Sequence, residues 1–279
     1  MKIKKVLSAV KHKYFFKDRN LEFSSLCGIS LNLIKGTIRK EADQDDAWFF
    51  QLAKHNTIIF DIGANVGYTA LLALIQNPDR RYIMVDPNPL ALADAGKNMM
   101  LNNLGNNISY FPAFVSDSNG DKVKFYTVGS GAAGSMYKSH AETAAILNTY
   151  SYVKTVTLDF LYNYYKLKPH LIKIDVEGAE NYVLEGAIEL ATKIKPMFFV
   201  EMHSNKEMTM EQNAKKVLNW CKKVSYNAWY LKTGKELINY VAIAKRGKCH
   251  LLLIPKDTNF PEYLKQIKQR ASLPLNLDN

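Results

Sequence analysis

The sequence predicts an α/β fold with a mostly parallel β-sheet covered by helices. Two observations support this prediction: short apolar runs alternate with segments of helical periodicity, and acidic residues or glycines stand where several apolar runs end. The alternation is typical of strands joined by crossover helices, and ligands of such sheets bind at the carboxyl ends of the strands. The runs that we interpret as strands are residues 57–61, 82–86, 108–115, 171–175, 197–202, 228–231 and 251–254.

Helical segments occupy the intervals between these strands. Residues 68–76 are apolar nearly all round, as expected for a helix packed between the sheet and its neighbours. Thr209 and Gln212 form a capping box in front of a clear amphipathic run. Between the third and fourth strands, residues 122–128 are interpreted as one arm of a hairpin. A Gly- and Tyr-rich excursion then continues to about Leu158.

The composition suits one folded α/β domain with appendages. The chain has 279 residues, of which 47% are hydrophobic, so it can bury a full core. It contains neither a long apolar run typical of a membrane span nor a signal peptide. Cys27, Cys221 and Cys249 are far apart, which argues against a disulfide framework or a zinc site. We therefore predict a cytoplasmic protein with an extension over residues 1–45 and a domain over residues 46–279.

Much of the positive charge lies at the N-terminus. The formal net charge is +11, and six lysines precede the first acid, Asp18. Ile3, Val6, Leu7 and Val10 recur there at helical spacing, which predicts a basic amphipathic helix. Such a helix can contact an anionic membrane surface, or it can pack on its own domain or on a partner subunit. The overall charge favours anionic partners, among which the composition does not choose.

The strongest motif is IIFDIGANVG, from Ile58 to Gly67. An apolar strand ends at Asp61, turns through Gly63 and enters a helix. We expect Gly63 to let the backbone approach a ligand and Gly67 to allow close packing of helix and strand. Asp61 is placed to accept a hydrogen bond from a cationic amine. Because the glycines lack the G-x-G-x-x-G order of a pyrophosphate site, the motif predicts a cofactor with an amino-acid tail and no phosphate.

The next two strands also end in acids. Asp86 ends the strand in VDPNP, where it is placed to hold both hydroxyls of an adenosine ribose. Ser116 and Asp117 follow the third strand, where the adenine ring would lie. Asp117 is placed to accept a hydrogen bond from the exocyclic amine, or else it forms a turn. Together with Asp61 and Gly63, these residues predict a site for an adenosine-containing cofactor.

Charged residues cluster at the ends of the fourth and fifth strands. Lys173 and Asp175 share one strand face, with Glu177 just beyond them, and Glu201 and His203 share a face of the neighbouring strand. We predict that His203 is a general base towards an acceptor hydroxyl, because an unperturbed imidazole is half neutral near pH 7. Asp175 and Glu201 would orient the reacting groups. Alternatively, Asp175, Glu177 and Glu201 offer the oxygen ligands that Mg²⁺ accepts.

These motifs together resemble the FkbM-type methyltransferases: DIGANVG, VDPNP, VTLDFL, IKIDVEGAE with VLEGA after it, and FVEMH. The resemblance runs from about Asp45 to Ile254, and IDVEGAE after DIGAN is its specific part. Asp86 stands where the family often has glutamate. By position, the resemblance implies a loop at the methionine end formed by Asp61, Gly63, Ala64, Asn65 and Gly67, a ribose acid at Asp86, and an acidic edge towards the acceptor formed by Asp175, Glu177, Glu201 and His203.

The resemblance also implies a fold, a cofactor and a reaction. The fold is the Rossmann-like class I methyltransferase fold, with a seven-stranded sheet whose last strand is antiparallel. The cofactor is S-adenosylmethionine, and the reaction is O-methylation, in several members of sugar or polyketide hydroxyls. We therefore expect an O-methyltransferase acting on a hydroxyl of a sugar, glycan or related small molecule. A chain that starts near Asp43 is expected to keep its cofactor affinity, since the first residues lie outside the match.

Two other functions stay open. An RNA ribose methyltransferase would suit the charge, but that class carries a lysine at the strand end where this chain has Glu201, so nucleic acid is not the favoured partner. A catalytically silent cofactor-binding or scaffold protein is the other alternative, and the charged strand ends argue against it. The glycine pattern excludes a nicotinamide oxidoreductase.

Overall fold

The computed structural model describes residues 21–39, 43–127, 134–137, 141, 143, 146–267 and 271–277. The basic helix predicted within residues 3–17 lies outside the described residues, and so do residues 129–133 of the Gly- and Tyr-rich excursion. The membrane contact proposed for the basic helix therefore stays a prediction. Within the described part of the chain, every helix is too short or too polar to cross a bilayer.

The described residues contain thirteen strands in three sheets. In chain order they are β1 (Leu21–Leu26), β2 (Ile29–Ile34), β3 (Ile58–Ile62), β4 (Arg81–Asp86), β5 (Ile108–Pro112), β6 (Phe114–Val115), β7 (Lys122–Tyr126), β8 (Tyr150–Val156), β9 (Leu171–Ile174), β10 (Met197–His203), β11 (Tyr226–Tyr230), β12 (Lys235–Glu236) and β13 (Lys248–Pro255). The main sheet has the strand order β12-β11-β13-β10-β9-β3-β4-β5. It thus has one strand more than the seven expected, because the two-residue β12 pairs with β11.

The strand directions bring the polar strand ends to one edge of the main sheet. Strands β3, β4, β5, β9 and β10 are parallel, so their carboxyl ends lie side by side. Strand β13 is the last in the chain and runs antiparallel to both β10 and β11. Its first residue, Lys248, is therefore paired with His203, the last residue of β10. We call this side of the sheet the carboxyl edge.

Helices cover both faces of the main sheet. Successive residues of β4 alternate between two apolar cores, with Tyr82 and Met84 in one and Ile83 and Val85 in the other, as the two-residue period of a strand requires. The helices are α1 (Gln44–Lys54), α2 (Tyr68–Leu74), α3 (Pro89–Leu101), α4 (Leu158–Tyr165), α5 (Glu180–Glu185), α6 (Ile188–Lys193), α7 (Met210–Val224) and α8 (Glu262–Lys265). Helices α1, α2, α3 and α8 pack on the first core, and α4 to α7 on the second.

The N-terminal hairpin of β1 and β2 belongs to the first core. Leu31 and Leu33 are buried there, and the Asn32 amide donates at 2.8 Å to Oδ1 of Asn102, the residue that follows α3. The described part of the extension is thus a β-hairpin rather than a helix. The expected cofactor affinity of a chain that starts near Asp43 stays a prediction. Such a chain would lose both leucines, each worth about 1.5–3 kcal/mol when fully buried, so we expect it to be less stable.

The strand predicted at residues 108–115 is divided in two. Pro112 has no N–H to donate, and the chain leaves the main sheet immediately after it. Phe114 and Val115 then form β6, which pairs with β8 in a separate three-stranded sheet. Strand β7 also pairs with β8, so the predicted hairpin arm finds its partner beyond the Gly- and Tyr-rich excursion.

Candidate active site

A cavity of about 630 Å³, a volume that includes the open space at its mouth, lies at the carboxyl edge of the main sheet. The loops after β3, β4 and β9 form much of it, and the small sheet of β6, β7 and β8 adds apolar side chains. Five of the residues predicted from the sequence line this cavity: Gly63, Asn65, Asp86, Asp175 and Glu177. Lining residues that the sequence did not reveal include Val85, Pro87, Asn88, Ala113, Phe114, Val115, Phe125 and Val176.

The glycines of the β3 loop are required by protein packing. Gly63 has φ +83°, and its amide donates to the carbonyl of Val85 at 2.9 Å. A Cβ at this position would overlap the carbonyl oxygen of Asp175. Gly67 has φ +84°, and a Cβ there would lie 3.0 Å from the Cβ of Ala95 in α3. Gly63 thus allows the β3 loop to approach the β9 loop as well as the cavity, and Gly67 allows contact between two helices rather than between helix and strand.

The substitution Gly63→Ala tests this contact, with Gly120→Ala as its control. Gly120 has φ +86° and nothing within 4 Å of an added Cβ. Both substitutions place alanine at positive φ, at a cost of about 1–3 kcal/mol each. Only the change at Gly63 also forces an overlap, which should remove about another 1–3 kcal/mol from the free energy of unfolding. Urea denaturation measures the difference, and equal losses in the two variants would contradict the contact.

Asp86 and Asn65 are held together at the centre of the cavity. The two Asp86 oxygens accept the amides of Asn65 at 2.9 Å and Asn88 at 2.8 Å. Burial raises the pKa of Asp86 to about 6. A carboxylate has about four acceptor positions, so both oxygens can still accept from hydroxyls. The side-chain oxygen of Asn65 is buried without a hydrogen-bond partner among the described residues, and it can therefore accept from a ligand.

Asp61 lies behind the cavity and pairs with Lys173. Its carboxylate is fully buried and accepts the hydroxyls of Thr69 at 2.6 Å and Tyr82 at 2.8 Å. The Lys173 ammonium lies 3.2 Å from Asp61 and 3.5 Å from Asp175. Burial lowers the pKa of Lys173, but the two carboxylates raise it by more, so that it lies above its usual value. The cation beside Asp61 is thus a lysine of the chain, which corrects the expected contact with a ligand amine.

His203 lies among four carboxylates. Its Nδ1 is 2.9 Å from Glu180, and its Nε2 is 3.6 Å from Glu201, 3.7 Å from Glu177 and 4.0 Å from Asp175. Burial lowers its pKa, but the hydrogen bond with Glu180 and the negative charges of Glu201 and the other acids raise it to about 11. The imidazole is therefore protonated at neutral pH. This corrects the sequence-based premise of an ordinary pKa and removes the reason to make His203 the general base.

Glu180 is a site residue that the sequence analysis did not single out. It is fully buried and accepts the Gly178 amide at 2.9 Å and the side-chain amide of Asn213 at 2.8 Å. These bonds fix the carboxylate against Nδ1 of His203 and orient the ring. The charge density of IDVEGAE was a signal for Glu180. Asn213 has no comparable signal, since it is one polar residue on an amphipathic helix.

The charge state of His203 can be observed directly. We expect its ring to remain the imidazolium at pH 8 in the folded protein, since the pKa is about 11. Because this lies above the unfolded value of about 6.5, the proton stabilises the fold fully below pH 6.5. That contribution is lost as the pH rises towards 11. Histidine NMR, with His203→Asn to identify the signal, provides the measurement. Titration near pH 6.5 would contradict the arrangement of acids.

The acids proposed for Mg²⁺ belong to two different groups. Asp175 and Glu177 stand with His203, and Glu201 stands with two further residues, Asp45 and His250; within each group the ligand atoms lie within 4.8 Å of one another. Each group contains an imidazole, whereas Mg²⁺ prefers oxygen ligands alone. The expected trio of Asp175, Glu177 and Glu201 is therefore not brought together as one site.

Glu201 has its own cations. The Lys248 ammonium lies 2.5 Å from its Oε1, and Nε2 of His250 lies 3.4 Å from its Oε2. Burial raises the pKa of Glu201, but the close contacts with His203 and His250 outweigh burial and hold the pKa below its usual value. Glu201 is thus an ionised carboxylate that links His203 to the start of β13. Neither Lys248 nor His250 belongs to a recognisable motif, and only the sheet order reveals them.

The remaining predicted residues lie outside the cavity lining. Ala64 is buried, and its amide donates to Val85 at 3.1 Å. The Ser116 hydroxyl donates to the carboxylate of Asp117 at 3.1 Å, and Asp117 is exposed. The wall that precedes them is apolar, with Phe114 and Val115 facing the cavity. The geometry therefore favours the turn role for Asp117 and an apolar contact in place of the expected adenine hydrogen bond.

Comparison with known proteins supports the resemblance seen in the motifs. The model of the methyltransferase FkbM domain matches residues 61–228, which is more than half of the chain. The chain therefore belongs to the FkbM methyltransferase domain family. A search of curated proteins gave no match.

The chain is also similar to several solved structures. One is methyltransferase FkbM from Methylobacillus flagellatus KT, at 14% identity over 71% of this chain and 43% of that one, with a TM-score of 0.45. A second is M. jannaschii TYW2 in complex with AdoMet, at 11% identity over 85% and 86%, with a TM-score of 0.44. A third is a putative rRNA-methylase from Clostridium thermocellum, at 10% identity over 75% and 93%, with a TM-score of 0.46. The chain spans less than half the length of the first of these proteins.

Proposed function

We propose that this chain is an S-adenosylmethionine-dependent O-methyltransferase that acts on a hydroxyl of a sugar, glycan or related small molecule. One observation carries the proposal. The cavity at the carboxyl edge holds a buried acid suited to a ribose, Asp86, and a second acid suited to a reacting hydroxyl, Asp175. Membership of the methyltransferase family and this pairing of acids support the same chemistry.

The cavity residues fit the proposed cofactor. The Asp86 carboxylate can accept both ribose hydroxyls, and the unpartnered oxygen of Asn65 can accept from the amine of the amino-acid tail. Phe114 and Val115 give an apolar surface suited to an adenine ring. Asp175 adds negative charge next to the expected sulfonium. When bound, S-adenosylmethionine supplies an electrophilic methyl group.

Asp175 is the residue best placed to take the proton of the acceptor hydroxyl. It lines the cavity, and burial raises its pKa from the ordinary carboxyl range towards neutrality. A base is most effective when its pKa lies near the working pH. Lys173 at 3.5 Å holds one Asp175 oxygen, and the His203 imidazolium at 4.0 Å faces the other. His203 then acts as a positioning residue, and the carboxylates of Glu201 and Glu177 lie beside Nε2 of the same imidazole.

A second candidate is ribose O-methylation of RNA. The net charge of +11 favours an anionic acceptor, and two lysines lie against the acids of the site. Lys173 is 3.5 Å from Asp175, and Lys248 is 2.5 Å from Glu201. This proposal ranks second because Glu201, near the end of β10, stands where that class carries a lysine.

Binding and transfer assays test the proposal. Calorimetry with the purified full chain should show binding of S-adenosylmethionine. Incubation with the methyl-labelled compound and a panel of sugars, glycans and short RNAs should then label a hydroxyl. Labelling of RNA alone would favour the second candidate. Binding without transfer to any acceptor of a broad panel would favour a scaffold protein.

A further inference from the structure

A second cavity of about 770 Å³ lies between the start of α1 and the strands β11 and β13. Its lining includes three cationic side chains, Lys232, Arg246 and Lys248, and two aromatic ones, Trp48 and Tyr230. Lys248 is the first residue of β13 and therefore belongs to the carboxyl edge. We call this space the basic cavity.

The basic cavity adjoins the reacting edge through direct contacts. Lys248 reaches from its lining to Glu201, at 2.5 Å between Nζ and Oε1. The amide of Ser204, the residue that follows His203, donates to the carbonyl of Gly247 at 2.9 Å. Arg246 precedes Gly247, so this hydrogen bond holds the backbone next to Arg246 against the residue that follows β10. One ion pair, between Lys248 and Glu201, thus separates the basic cavity from the acids around His203.

The basic cavity contains cations without acidic partners. The two acids in its lining are occupied: Asp43 caps α1, and Asp45 lies 3.1 Å from Nδ1 of His250. Lys232 and Arg246 form no ion pair with any residue that the structure describes. The Arg246 Nε is buried and has no hydrogen-bond partner in that part of the chain. A buried donor of this kind lacks an acceptor that a ligand can supply.

We propose that the basic cavity binds an anionic group of the methyl acceptor, a phosphate or a carboxylate, and that the acceptor is a phosphorylated or acidic sugar. This inference rests on the proposed function, which it narrows to one substrate class. Arg246 and Lys232 hold the anion, and the largely buried Trp48 and Tyr230 add apolar surface to the lining. A hydroxyl of the same sugar then lies towards Asp175.

Calorimetry on the full chain with four probes tests the inference. The probes are inorganic phosphate, glucose 6-phosphate, glucuronate and neutral glucose. We expect at least one anionic probe to bind and glucose to bind at least tenfold more weakly, since charge-assisted hydrogen bonds are the strong ones. The double variant Lys232→Gln with Arg246→Gln should bind the anion about tenfold or more weakly than the unaltered chain does. Comparison of glucose 6-phosphate with glucuronate identifies the anion as phosphate or carboxylate.

The control is Lys256→Gln, at an exposed lysine beyond the other end of β13. This variant should bind the anion within twofold of the unaltered chain. Failure of every anion to bind the unaltered chain, or equal binding by the double variant and the control, would overturn the inference. If the double variant does not fold, anion binding is measured with Lys232→Gln alone, because Lys232 is exposed. Affinity for S-adenosylmethionine is measured in the same samples, and its absence in the unaltered chain would count against the proposed function instead.

Discussion

Asp175→Asn is expected to lower turnover by about 10²–10⁴-fold, the usual worth of a positioned general base. The amide has nearly the shape of the carboxylate but cannot take a proton. The variant should also bind S-adenosylmethionine less tightly, since Asp175 lines the cavity and carries charge near the expected sulfonium. Turnover is therefore compared at saturating cofactor. Asp117→Asn is the matched control, because Asp117 is exposed and lies outside the cavity lining.

The pH dependence of turnover tests the same role of Asp175. Burial raises the pKa of Asp175 to about 6. The base is the deprotonated form, so turnover should rise with pH through about 6 and level off above it. In Asp175→Asn this rise of turnover with pH should disappear, and turnover itself should be low at every pH. A variant that keeps both its rate and this rise would place the base elsewhere.

Asp86→Ala is expected to weaken the binding of S-adenosylmethionine by about 2–4 kcal/mol, or roughly 30- to 1000-fold. The carboxylate is the acceptor proposed for both ribose hydroxyls, and its loss would leave them without a charged partner. The same oxygens also hold the amides of Asn65 and Asn88. Part of the lost affinity will therefore come from the release of these two amides, which leaves the cavity less rigid.

Asp86→Asn separates these two contributions. The asparagine keeps one oxygen for a backbone amide and loses the charge, so its affinity should fall between that of the unaltered chain and that of the alanine variant. Calorimetry gives the affinities, and urea denaturation gives the change in folding free energy. Unchanged cofactor affinity in Asp86→Ala would refute the ribose assignment, whatever the effect on stability.

The sequence predicted well those features that depend on neighbouring residues. Apolar runs ended by an acid located β3, β4 and β9 to within one residue, because a buried strand and the polar turn after it differ sharply in composition. The capping box of Thr209 and Gln212 is present for the same reason, since both partners lie within one helical turn. The division of the third strand was missed, since the prediction ran one strand through Pro112, which has no N–H for a continuing ladder.

The features that the sequence could not provide depend on sheet order and register. Asp61 and Lys173 are paired residues on adjacent strands, and that pairing decides that the buried acid meets a lysine. The high pKa of His203 depends on Glu180 and Asn213, which come from two different helices. Lys248 reaches Glu201 only because β13 lies next to β10. Such contacts follow from the assembled fold, so a local pattern cannot reveal them.

The close approach of Gly63 to the carbonyl of Asp175 has a consequence for redesign of the protein. The β3 loop and the β9 loop interlock there, so a change of backbone in one displaces the other, although they are far apart in the chain. Directed evolution towards new acceptors should therefore spare both loops. Accepted mutations should instead gather where α1 begins and around the turn before β13, since side chains there can change without moving the interlocked pair.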